Sequence, residues 1–178
     1  MQAGDYPGAE NDFSLAISLD PELALCYQQR GLVYYEQGQY EKAAGDWTTY
    51  LAMGTEDAET LYRLALAYLQ LDKYDEAAAD LTRALEIDPE YKMAYYQRGN
   101  VYSLQKKYQE AADDYTRCIE FQIGLDISYF NRGIAYLNLE KIEEAKVDLQ
   151  EVLKVTENEI LIEESQKILN LLESEGNK

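Results

Sequence analysis

The chain has 178 residues, 47% of them hydrophobic, which is enough for an ordinary domain with a core and argues against intrinsic disorder. Thirty-four acidic residues against sixteen basic ones give a net charge of −18, which disfavours nucleic acid and anionic membrane surfaces as partners. No apolar run reaches the roughly 20 residues needed to cross a bilayer, and the first residues lack a signal peptide's basic start and apolar core, so the expectation is a soluble chain with no membrane insertion and of unknown compartment.

The segment 1–23 reads as one helix bearing Tyr6, Ala9, Asp12 and Phe13, closed by Asp20-Pro21, since proline cannot continue a helix. Next comes "YQQRGLVY" at 27–34, an arginine beside a glycine in an aromatic stretch, and then a helix with Tyr40, Ala43, Asp46 and Trp47. From there the chain repeats every 34 residues. Ala65 and Tyr68 take the places of Gly31 and Tyr34 and are followed by Tyr74, Ala77, Asp80 and Leu81, with a stop at Asp88-Pro89. "YYQRGNVY" at 95–102 restores Gly99 and Tyr102 before Tyr108, Ala111, Asp114 and Tyr115. "YFNRGIAY" at 129–136 restores Gly133 and Tyr136 before Ile142, Ala145, Asp148 and Leu149. The other unit ends are Gly54, Gly124 and Thr156-Glu157-Asn158. The last segment, "ILIEESQKILNLLESEGNK", sets Leu161, Ile162, Ile168, Leu169 and Leu172 on one side of a helix and polar residues elsewhere, the pattern of a cap.

Each unit spaces apolar residues at three and four, so each helix has one adhesive face that a pair of short helices cannot bury alone. Stacking solves this. The small series Gly31, Ala65, Gly99, Gly133 and the series Ala9, Ala43, Ala77, Ala111, Ala145 permit close approach. Phe13, Trp47, Leu81, Tyr115 and Leu149, four residues after each alanine, fill what is left. Trp47 therefore reads as core, and Cys26 and Cys118, far apart and without CxxC or histidine company, as small interior hydrophobes rather than metal ligands or a disulfide.

A small eighth residue, an eleventh tyrosine and a twentieth alanine in a 34-residue unit resemble the tetratricopeptide repeat (TPR) family. The resemblance implies an all-α fold, a right-handed superhelical solenoid of helix-turn-helix TPR units: a half repeat at 1–23, full repeats at 24–57, 58–91, 92–125 and 126–159, and a capping helix at 160–178, all one domain. The departures are local. Thr55, Ile123 and Glu157 stand at the proline place, and Tyr50, Cys118 and Val152 replace a small residue.

The aspartates Asp12, Asp46, Asp80, Asp114 and Asp148 keep step with Arg30, Arg98 and Arg132. A charge beside a helix-contact glycine is partly buried and needs a partner of matching geometry, so the reading is a scaffold Arg–Asp pair, with a ligand site as the alternative. Leu64 holds the arginine place of the second repeat. One aspartate then lacks its arginine: Asp80 if pairs form within a repeat, Asp46 if they form with the preceding repeat.

No histidine, phosphate loop or paired nucleophile and base is present, and the recurring carboxylates Glu41, Asp75-Glu76, Glu110 and Glu143-Glu144 read as helix-start charges. The expectation is a non-enzyme without cofactor or metal. The TPR resemblance implies a module that binds another protein, as an extended peptide or partner helix in a concave groove; the alternative is a structural spacer or self-assembly unit. In that family the first helices line the groove at their second, fifth, sixth, ninth, twelfth and thirteenth places. Here these give Gln28, Leu32, Tyr35, Tyr62, Arg63, Leu66, Tyr96, Gln97, Asn100, Phe130, Asn131, Ile134 and Asn138, in which Tyr62, Tyr96 and Phe130 form a ladder of rings. The carboxylate clamp of chaperone-binding relatives is absent apart from Arg63, the other places holding Gln28, Leu32 and Met93. The acidic net charge favours a neutral or basic segment. The open face of Ala9, Phe13, Ala16 and Ile17 suggests a fragment of a longer chain, a covering partner, or a dimer through that end.

Overall fold

The structure, a computed structural model, describes residues 6–54 and 56–176. Expectations that touch residues 1–5, Thr55 or residues 177–178 lie outside the described residues. Among the described residues there are ten helices: α1 (Tyr6–Leu19), α2 (Ala24–Glu36), α3 (Tyr40–Ala52), α4 (Ala58–Gln70), α5 (Tyr74–Ile87), α6 (Lys92–Leu104), α7 (Tyr108–Glu120), α8 (Leu125–Asn138), α9 (Ile142–Val155) and α10 (Glu159–Gly176). They fall into two compact units, the first ending at Tyr91 and the second starting at Lys92. Inside each unit every helix packs on the next in sequence, and α10 also touches α8.

Each pair of helices is joined by a three-residue turn with a left-handed residue in the middle: Gly38 (φ 73°), Asp72 (55°), Lys106 (60°) and Glu140 (58°). That residue turns the next amide back onto the tyrosine of the first helix: Gln39 N–H to Tyr34 O (2.8 Å), Lys73 to Tyr68 (2.9 Å), Lys107 to Tyr102 (2.8 Å) and Lys141 to Tyr136 (2.9 Å). The second helices then begin with acidic residues in the first turn, where the helix dipole favours them. Asp20 and Asp88 hold their proline turns by accepting from the amides of Glu22 and Glu90 at 3.0 Å.

The core is a set of size-matched pairs. Ala43, Ala77, Ala111 and Ala145 are fully buried, as are Trp47, Leu81, Tyr115 and Leu149. Trp47 lies against Gly31, where an added Cβ would come within 2.7 Å of its Nε1, and its N–H donates to Gln28 O at 3.1 Å. Tyr115 lies against Gly99, with 2.9 Å left for a Cβ. Gly133 faces the shorter Leu149, and its Cβ would meet nothing nearer than 3.4 Å.

The arginines bind within the repeat. Arg30 grips Asp46 through Nε and Nη2 at 2.7 and 2.8 Å, Arg98 grips Asp114 at 2.8 and 2.8 Å, and Arg132 grips Asp148 at 2.8 and 2.7 Å. The remaining arm reaches the preceding second helix, from Arg30 Nη1 to Ser14 Oγ (3.0 Å) and from Arg132 Nη1 to Thr116 Oγ1 (2.9 Å). Each guanidinium also lies 5.5–5.7 Å from two ring centres: Tyr27 and Tyr34, Tyr95 and Tyr102, Tyr129 and Tyr136. The spacing of YxxRGxxY follows from this, because residues three before and four after the arginine share its side of the helix.

The second repeat carries Leu64 instead, and Asp80 is the aspartate without a first-helix arginine. Arg83, one turn along its own helix, reaches Asp80 at 3.3 Å while also pairing with Glu56. That is weak compensation. Burial pushes the Asp80 carboxyl up to about 6, with Arg83 opposing and Glu56 and Glu76 reinforcing the rise.

Two expectations need correction. Cys118 is buried, but Cys26 is only half-buried, whereas Thr60, Ala94 and Ser128 at the same place are fully buried. Thr60 is covered by the preceding first helix, whose Gln28 amide donates to its hydroxyl at 2.7 Å; among the described residues no first helix precedes α2. On α10, Ser165 and Leu169 are buried, but Ile162 at the edge of the packed stripe is 38% exposed and Leu171 is 55% exposed, so the outer face is not wholly polar.

The size matching predicts that Gly31→Ala and Gly99→Ala each cost about 1–3 kcal/mol by overpacking. Gly133→Ala should be neutral or stabilise by up to about 1 kcal/mol through helix propensity; urea unfolding of the three variants checks the order. Asp80 predicts an inverted pH response. Its folded pKa lies above the ordinary carboxylate value, so the folded state binds the extra proton and this group's contribution to stability rises as pH falls from 7 to 5. The gain over that interval is about 1 kcal/mol, and Leu64→Arg, which supplies the missing guanidinium, should abolish it when urea midpoints at the two pH values are compared.

Candidate functional site

A first helix uses its glycine side to receive the second helix; places six, nine and thirteen turn away from that contact, while places five and twelve, three before and four after the glycine, border it. The expected binding residues lie at these places, and each unit gathers some of them around a hollow of its own.

In the first unit Gln28 and Leu32 of α2 meet Arg63 of α4 around a small hollow of about 150 Å³, completed by Gln29 and Glu59. Its polar groups are engaged with one another. Gln28 Nε2 donates to Thr60 Oγ1 at 2.7 Å, and Arg63 donates from Nε and Nη2 to Glu59 Oε1 at 3.0 and 2.6 Å. Leu32 and Tyr35 pack against the core cluster around Trp47, Tyr35 edge-on to Tyr40 at 5.3 Å and 5.8 Å from Trp47. Tyr62 stands edge-on to Tyr91 at 5.1 Å, and burial pushes the Tyr91 phenol up to about 12, leaving it neutral at physiological pH. Tyr35, Tyr62 and Leu66 do not line the hollow.

In the second unit Asn100 of α6 and Asn131, Ile134 and Asn138 of α8 line a larger hollow of about 460 Å³. Ser103, Leu104, Tyr108 and Tyr115 complete it. The Tyr115 ring is core, yet its hydroxyl emerges here, donating to Asn100 Oδ1 at 2.9 Å and lying 3.3 Å from Ser103 Oγ. Burial pushes that phenol up to about 12, so it acts as a neutral donor and acceptor. Asn138 Nδ2 donates to Ile134 O at 2.8 Å. Tyr96 packs beside Tyr115 at 6.4 Å, and Tyr96, Gln97 and Phe130 are outside the lining.

Four residues of the larger hollow were not among those expected. Ser103 and Leu104 occupy the twelfth and thirteenth places of α6, so the same rule that selects Asn138 would have found them. Tyr115 had a subtler signal: at a place otherwise filled by Phe13, Trp47 and leucine, a phenol must send its hydroxyl to a polar partner. Tyr108 belongs to the repeated tyrosine place at the start of second helices and carried no distinguishing mark. Chemically, the amides, hydroxyls and apolar flanks here can hydrogen-bond a peptide backbone and cover one aliphatic side chain.

Models of the tetratricopeptide repeat match residues 58–91, 93–122 and 127–159, together more than half of the chain. No curated protein matches it. Among solved structures, a MamA protein is 26% identical with a TM-score of 0.80, over 85% of this chain and 82% of that one. YrrB, described as a TPR protein with an unusual peptide-binding site, is 23% identical with a TM-score of 0.85, over 92% and 84%. The C-terminal part of a TPR repeat-containing protein from Cytophaga hutchinsonii is 17% identical with a TM-score of 0.81, over 98% and 69%. These likenesses place the fold among all-α helical repeat solenoids.

Proposed function

The chain belongs to the tetratricopeptide repeat family and is a protein-interaction module, and we propose that it takes an extended peptide on the open sides of its first helices. The observation that carries this reading is the hollow of about 460 Å³ with the amides of Asn100, Asn131 and Asn138 beside Leu104 and Ile134. An extended strand presents alternating N–H and C=O groups, and an asparagine amide answers both at once. Affinity would come from these paired bonds together with one apolar side chain set against Leu104 and Ile134. The smaller hollow offers less, because Arg63 must leave Glu59 before it can bind a carboxylate. The net charge of −18 draws a neutral or basic segment faster than an acidic one. Family scaffolds are generally non-enzymatic, which agrees with a role in holding a partner.

The test is selection of peptides from a random display library on the intact protein. Selected sequences should be neutral or basic, and Asn131→Ala with Asn138→Ala should weaken them at least tenfold with no change in helical content. Tyr62→Ala with Tyr96→Ala probes the ring places in the same assay. Undiminished binding to both double variants rejects this face. A mass that rises with concentration, with no peptide enriched, favours the spacer or self-assembly reading.

A further inference from the structure

Three polar side chains of the third full repeat meet in the larger hollow although the repeat does not require them there. Asn100, Ser103 and Tyr115 stand at places that hold Leu66, Leu69 and Leu81 in the repeat before and Ile134, Leu137 and Leu149 in the repeat after. Aliphatic side chains satisfy the packing at all three places, so the polar set answers another demand. The three are linked. Tyr115 Oη donates to Asn100 Oδ1 at 2.9 Å and lies 3.3 Å from Ser103 Oγ. A phenol has a single hydrogen, and with burial pushing it up to about 12 Tyr115 keeps that hydrogen at physiological pH. Since it is spent on Asn100, the link to Ser103 runs the other way, from the serine hydroxyl to the phenol oxygen. Each end of the chain is left with one kind of group. Asn100, its oxygen taken, offers the N–H groups of Nδ2, which have no partner among the described residues, and Ser103, its hydrogen given away, offers lone pairs. The two residues are three apart on one side of α6 and both line the hollow, so a donor and an acceptor stand there side by side.

Burial orders the hollow in the same sense. Tyr115, 1% exposed, lies deepest, Ile134 is half-buried, and Leu104, 57% exposed, stands at the rim with Asn138. An entering side chain passes aliphatic surface first and meets the donor and acceptor last, and none of the lining residues carries a charge. Resting on the reading that this face holds an extended peptide, we infer that the hollow seats a primary carboxamide, the side chain of a glutamine or asparagine of the bound segment. Its C=O accepts from Asn100 Nδ2, its NH₂ donates to Ser103 Oγ, and its methylenes lie against Leu104 and Ile134, which favours glutamine for its longer stem. A carboxamide is the neutral side-chain group that carries an acceptor and a donor on one carbon. A carboxylate of the same shape sets a lone pair against that of Ser103 and finds no cation. An aliphatic side chain leaves Asn100 Nδ2 and Ser103 Oγ without partners. A main-chain amide is trans and directs its N–H and C=O to opposite sides, so it does not answer both groups at once. Tyr115 is a positioning residue in this arrangement: its hydroxyl decides which face Asn100 and Ser103 present.

The probes are display libraries of short random peptides whose central residue is fixed as glutamine, glutamate or leucine, selected on the intact protein. The glutamine library should be enriched over the other two. The best glutamine peptide, labelled and titrated by fluorescence anisotropy, should bind about tenfold more tightly than its own glutamate and leucine variants. Tyr115→Phe keeps the ring that packs on Gly99 and removes the hydroxyl, and Ser103→Ala removes the acceptor from α6 without touching the core; each should erase most of the preference for glutamine over leucine. Circular dichroism checks that both variants keep their helical content. Enriched peptides that depend on Asn131 and Asn138 but are indifferent to the central residue, or a glutamine preference that persists in either variant, overturn the assignment and leave the peptide face standing. If no library is enriched, the face itself is rejected and the carboxamide seat falls with it.

Discussion

A buried guanidinium is acceptable only when its N–H groups and both faces of its plane find partners, and the fold is arranged around meeting that demand. The aspartate of the paired helix takes two arms, a hydroxyl of the preceding second helix takes another, and two tyrosines flank the cation. One side chain thereby fixes three helices: α1, α2 and α3 around Arg30, and α7, α8 and α9 around Arg132. The tyrosines are held in turn, Tyr68, Tyr102 and Tyr136 each lying 5.5–5.7 Å from the lysine that follows the left-handed turn. The second repeat shows the converse. With Leu64 in the arginine place, Asp80 remains in the same buried position with only a long contact to Arg83, an acid kept where its ionised form is poorly served.

Most of the fold was legible because the period multiplies weak signals: one glycine beside a tyrosine means little, and the same pair recurring at 34-residue steps means a helix contact. The Arg–Asp partnership was legible for the same reason, but its direction was not, since two aspartates lie 16 or 18 residues to either side of Arg98 and spacing alone does not choose between them. Geometry decides, with the sixteen-residue step forward in all three cases. Cys26 misled because the pattern says which way a side chain points and not whether anything stands there.

The candidate site was less legible because a groove position fixes orientation and leaves occupancy open. Tyr35, Tyr62 and Tyr96 lie on helix sides of the expected kind, yet their rings pack on Tyr40, Tyr91 and Tyr115. The amphipathic character that makes a tyrosine a good contact residue also makes it good packing. Conversely, the Tyr115 hydroxyl reaches a hollow from a core position, which no rule based on helix sides would find. Size and aliphatic area separate the two hollows. Both contain amides that already have partners, Gln28 on Thr60 and Asn100 and Asn138 on Tyr115 and Ile134, but in the smaller Arg63 is also tied to Glu59, while the larger sets its asparagines beside Leu104 and Ile134.

A chain of near-copies risks pairing the wrong halves during folding, because a first helix displaced by one period would find a second helix of almost the same pattern. The unequal pairs of this protein guard against it. Trp47 needs the space left by Gly31 and would collide with the methyl of Ala65, as would Tyr115. The errors that bring the largest side chains onto that alanine are therefore penalised by steric overlap before any specific polar contact forms. The variation in size along an otherwise monotonous sequence thus serves as an address, telling each helix which of its look-alikes is its own.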